Sequence, residues 1–82
     1  MMKTIAAELA AEYRKSGQWV VAAAETLRRE PDLDFKELAA AFAALADAIP
    51  GEKKRLRKIA KFFATPPTEE WRQWFIEEVP PW

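Results

Sequence analysis

Neither cysteine nor histidine occurs anywhere in the chain, and glycine occurs only twice. Without cysteine there are no disulfides and no thiolate nucleophile, and without histidine the commonest acid–base group is missing. Together these absences exclude every zinc site that needs Cys or His, and every Ser-His-Asp or Cys-His arrangement. No apolar run approaches the roughly 20 residues that a membrane-crossing helix needs. A surplus of charge is missing too: 13 basic residues face 13 acidic ones, for a formal net charge of +0. Dedicated nucleic-acid binders usually carry excess positive charge, so this balance argues against that class unless a local patch supplies it.

The remaining chemical motifs are equally sparse. IPGEKK contains Pro-Gly and lysine but lacks the Gly-x-x-x-x-Gly-Lys-[Ser/Thr] pattern of a phosphate loop. Asp32 and Asp34 do not follow the ligand series of a calcium loop and are better explained by a turn and a helix cap. Glu8 with Glu12, and Glu77 with Glu78, read as surface carboxylates, while Tyr13, Lys15 and Ser16 are polar groups with no triad around them. No catalytic, metal or cofactor-binding residue is expected, and the protein is expected not to be an enzyme. The opening MMKTIAAELAAEYRK resembles a weak secretion signal, but Glu8, Glu12 and Arg14 interrupt it, so it is expected to be a helix. The cytoplasm is the default compartment, with no membrane association expected.

What the chain does have is apolar residues at helical spacing. Half of its 82 residues are apolar and 32% are charged, a globular composition at a length where one core is only marginally stabilising. Ile5, Leu9 and Tyr13, with Met2 and Ala6, mark a helix over about residues 3–15, stopped by Ser16-Gly17. Trp19, Val20, Ala23 and Leu27 define the inward side of a second helix that ends near Pro31. Asp34 is placed to cap a third, with Glu37 completing a capping box and Leu33 and Leu38 a hydrophobic staple. Phe35, Leu38, Phe42, Leu45 and Ile49 then form an apolar stripe as far as Pro50-Gly51. Leu56, Ile59, Ala60 and Phe63 face inward on a fourth helix. After Pro66-Pro67, Thr68 is the natural cap of a fifth, whose apolar side is Trp71, Trp74, Phe75 and Val79. These patterns predict an all-α fold, a compact bundle or orthogonal array of about five short helices. Residues 1–79 form a single domain and residues 80–82 a short extended tail.

Two features invite a function. The first is EKKRLRKIAKFF, residues 52–63, with six basic residues in nine positions. At about 100° per residue, Lys54, Arg57, Lys58 and Lys61 fall opposite the apolar face. They are either a solvated face or a contact for nucleic acid or an acidic protein. With the preceding helix and Pro-Gly turn they outline a helix-turn-helix, but the helix offers no Asn or Gln to read adenine. The second feature is aromatic. Trp19 fits the core, whereas Trp71 and Trp74 either close the base of the bundle or anchor another protein. Phe62 departs from the inward stripe, and Trp82 follows two prolines that limit the entropy lost on docking. Phe62, Trp71, Trp74, Phe75 and Trp82 are therefore the expected protein interface of an interaction or accessory domain that associates with itself or another polypeptide. Nucleic-acid binding through Lys54, Arg57, Lys58 and Lys61 is the alternative.

Overall fold

The computed structural model describes residues 4–65 and 69–80. Thr4 opens the first helix, α1 (Ile5–Ser16), its Oγ1 accepting the Ala7 N–H at 3.1 Å. Gly17 closes it with φ at 70°, a left-handed conformation that costs a side-chain-bearing residue about 1–2 kcal/mol. In that pose the Gly17 N–H reaches the Tyr13 carbonyl at 2.7 Å, and the chain turns out of α1 instead of continuing. The second helix, α2 (Trp19–Arg29), ends before Pro31. Asp34 then caps α3 (Phe35–Ala48), Oδ1 accepting the Lys36 N–H at 2.9 Å. The expected capping box does not form among the described residues: the Glu37 N–H goes to the Asp34 main-chain carbonyl, the Asp34 side chain takes the Lys36 N–H instead, and no side-chain bond returns from Glu37. Leu33 and Leu38, the two staple positions, are both buried.

Pro50-Gly51-Glu52 forms a single 3-10 turn leading into α4 (Lys53–Ala64), and the last helix is α5 (Glu69–Glu77). The fold is all-α, five short helices with no strand among the described residues. None of the described helices is long and apolar enough to cross a membrane. A Cα radius of gyration of 11.6 Å matches the roughly 12 Å expected for a compact domain of this length. The expected cap at Thr68 lies outside the described residues.

The core grows from α3 and α4, which share the most extensive contact. Leu38, Phe42 and Leu45 from α3 meet Leu56, Ile59, Ala60 and Phe63 from α4, all buried as their spacing predicts. Phe42 and Phe63 stack with ring centroids 5.5 Å apart and planes 3° from parallel. Buried alanines on α2 and α3, including Ala22, Ala23 and Ala46, let neighbouring backbones approach closely.

On α2 the expected inward face needs correcting. Val21, Ala22, Ala23, Ala24, Thr26 and Leu27 are buried, whereas Trp19 and Val20 are only partly covered. The reason is position: α2 packs against α1 on one side and α5 on another, so most of its circumference is enclosed. Thr26 tolerates this burial because its hydroxyl donates to the Ala22 carbonyl at 2.8 Å.

Glu12 is a second correction, because it is not a surface carboxylate. It is buried, and Arg29 donates to its Oε1 at 2.6 Å, tying α1 to the end of α2. That bond holds the Arg29 guanidinium above its ordinary pKa, against an opposing effect of burial.

Candidate functional site

Helix α5 supplies the surface of interest, and its placement comes from both ends. Arg72, near its start, donates to the Pro31 carbonyl at 2.8 Å and to Glu69 at 2.7 Å. The same guanidinium lies 4.6 Å from the Phe35 ring centroid, a cation–π contact. At the other end Arg28 of α2 donates to the carbonyls of Ile76 (2.8 Å) and Val79 and to Glu25 (2.6 Å). The Ile76 carbonyl belongs to the last turn of α5, where the helix dipole is negative, so a cation there is favourable. Between the clamps, Phe75 is buried to 1% exposure and Val79 is buried with it. Burying a phenylalanine of this kind contributes about 2–3 kcal/mol.

With Phe75 and Val79 inward, Trp71 and Trp74 are left at the surface, 42% and 41% exposed. Their rings meet edge to face at 5.5 Å. Trp71 also meets Phe62 of α4 at 5.8 Å and 88°, and Phe62 is itself 36% exposed. Trp19 sits behind them, edge-on to Phe42, Phe62, Phe63 and Phe75 at 6.2–6.5 Å. Including Phe35, which packs on Phe63 at 5.7 Å, eight of the nine aromatic residues among those described form one connected network. Edge-to-face pairs of this kind add about 0.5–1.5 kcal/mol each beyond burial, so the exposed rings are held on a rigid base.

These side chains enclose a groove of about 440 Å³ between α2, α4 and α5. Its floor and walls are Trp19, Val20, Ile59, Phe62, Trp71, Trp74 and Phe75, and its rim carries Arg55 and Lys58. Arg55 is fixed in place by a network at the start of α4. It donates to the Tyr13 hydroxyl at 2.6 Å and to Glu52 Oε1 at 3.1 Å, and Tyr13 donates to the same Glu52 oxygen at 2.7 Å. Burial, and then the bond to Glu52, push the Tyr13 phenol above its ordinary pKa, with Arg55 acting the other way.

No family model, curated protein or solved structure matches the chain. Its site is therefore read from geometry alone.

Of the residues singled out in the sequence, Phe62, Trp71 and Trp74 come together on the surface of the groove. Phe75 is buried in the core and supports them from below, its ring 6.3 Å from that of Trp71 and 5.2 Å from that of Trp74 on the same broad side of α5. Trp82 lies outside the described residues.

The basic stripe is divided. Lys58 faces the groove, and Lys54 borders a hollow beside Gly51 and Glu52. Arg57 and Lys61 line the far side, against α3 alanines. Arg57 also lies 3.6 Å from Asp47 in an exposed pair. Sequence reasoning missed Arg55, Trp19 and Val20 as groove residues. The overlooked signal was that Trp19 and Val20 stand together at the first turn of α2, where one helix face cannot bury both.

Proposed function

We propose that this chain is a non-enzymatic protein-interaction domain that receives an apolar segment of a polypeptide in the aromatic groove. The observation that carries this reading is a pair of tryptophans left more than 40% exposed on a helix clamped at both ends. A small domain gains by burying such large rings in its own core, and rigid surface aromatics around a concavity are the usual anchors of protein recognition. Little ordering entropy is lost on binding, because Trp71 and Trp74 already rest against each other and against Phe75. Arg55 and Lys58 on the rim favour a segment with acidic residues beside its apolar anchors.

The test is a titration of the amide resonances with two amphipathic peptides of identical apolar anchors, one flanked by glutamates and the other by lysines. The acidic peptide is expected to shift residues of α2, α4 and α5 around the groove, and Trp74→Ala to abolish the effect. If neither peptide moves the groove resonances, this reading fails.

A further inference from the structure

Trp71 and Trp74 separate two hollows of opposite character. On one side is the aromatic groove with Arg55 and Lys58 on its rim. On the other is a shallower depression of about 460 Å³, lined by the same two tryptophans and Glu70. The surface thus runs from basic rim to apolar groove, aromatic ridge and acidic edge. Among the described residues, Lys58 and Glu70 take part in none of the ion pairs or side-chain hydrogen bonds, so both charges are available. Glu69 and Glu77, by contrast, are engaged by Arg72 and Gln73.

A patch ordered in this way is complementary to itself. In an isologous pair the same patch is contributed twice, and the symmetry axis reverses one copy relative to the other. With that axis along the wall shared by ridge and groove, each copy's Trp71–Trp74 ridge enters the other's groove. The same rotation carries each Glu70 towards the other's Lys58. Apolar and charged requirements are met by one operation.

We infer that the occupant of the groove is a second copy of this chain, in a two-fold dimer with reciprocal tryptophan insertion and paired Lys58–Glu70 contacts. This inference rests on the groove being a polypeptide-binding surface and adds the identity of the polypeptide. Desolvated tryptophans supply the affinity, while the charge pairs at the margin set the register and make association sensitive to salt.

Sedimentation equilibrium on the full chain, from about 1 µM to about 1 mM, tests it with wild type, Lys58→Glu, Glu70→Lys and the double reversal. Wild type is expected to dimerise reversibly. Each single reversal places like charges face to face twice in the dimer and should weaken association about tenfold or more. The double reversal restores opposite charges and should recover most of the loss, a result that generic hydrophobic sticking does not produce. Both substituted positions are exposed, so circular dichroism should confirm unchanged helicity.

A strict monomer throughout the range overturns the inference, as does a dimer indifferent to the single reversals or not recovered by the double. The peptide titration separates the two proposals. A monomer that binds the acidic peptide in the groove leaves the interaction reading standing and removes the second copy as occupant. A dimer that the same peptide dissociates supports both.

Discussion

Tyr13 joins three parts of the molecule through one oxygen. Its hydroxyl donates to Glu52 in the turn before α4 and accepts from Arg55 on the groove rim, while its ring sits in the core. Because its pKa is raised in the folded state, the protonated phenol stabilises the fold up to the unfolded value of about 10. That contribution is then lost as pH rises through the higher folded value, since the unfolded chain releases the proton first. Tyr13 is the only tyrosine, so ultraviolet absorbance of tyrosinate follows it alone. Its ionisation is expected above the ordinary phenol range. Tyr13→Phe should cost about 1 kcal/mol at neutral pH, because Glu52 and Arg55 still hold each other at 3.1 Å. The stability advantage of wild type over that variant, measured by denaturant unfolding, should shrink above about pH 10. An advantage that stayed constant into strong alkali would contradict the assigned network.

At the level of elements, α5 has one extensive helix neighbour and is seated by two arginines. It packs on α2, and its clamps come from Arg28 and its own Arg72. Replacing either arginine by methionine keeps much of the apolar stem but removes charge-assisted bonds worth about 1.5–3 kcal/mol each. Hydrogen exchange should then quicken in α5 before it quickens in α3 or α4. Equal acceleration everywhere would mean that α5 unfolds only with the whole domain.

The helices themselves were legible because their signals are local. Gly17, Pro31 and Pro50-Gly51 mark boundaries by backbone conformation, and the spacing of Leu56, Ile59, Ala60 and Phe63 records one buried face. The clamps were not legible. Arg28 reaches carbonyls 48 and 51 positions away, and Tyr13 reaches Glu52 across 39, separations that leave no periodic trace. Glu12 was misplaced for the same reason, since only the fold brings Arg29 beside it. Periodicity also could not rank Trp71, Trp74 and Phe75, which share one broad side of a short helix; the approach of α2 decides which of them is covered.

For the molecule as a whole, charge is segregated rather than absent. Helix α4 is basic and the end of the chain acidic, within a net charge of +0. The two guanidinium groups of α4, the ones able to read guanine in a bidentate manner, are drawn to Glu52 and Asp47. Lys53, Lys54, Lys58 and Lys61 remain as point charges spread over more than one face. Duplex DNA and structured RNA are therefore expected to bind weakly, without sequence preference, and to dissociate steeply as salt rises. Fluorescence anisotropy checks this. Submicromolar, sequence-selective binding at physiological salt, abolished by neutralising Lys54, Arg57, Lys58 and Lys61, would reverse the ranking of protein over nucleic acid.

The clamps on α5 have a consequence for how this surface can change over generations. Arg28 and Arg72 hold Ile76, Val79 and Pro31 through main-chain oxygens, which every amino acid possesses. The outward residues of α5 are not needed for those bonds. Substitutions at Glu70, Trp71 or Trp74 can therefore accumulate while the helix keeps its seat. A lineage can revise what the surface accepts without first rebuilding the scaffold beneath it, so divergence should run faster along this ridge than at the two arginines that anchor it.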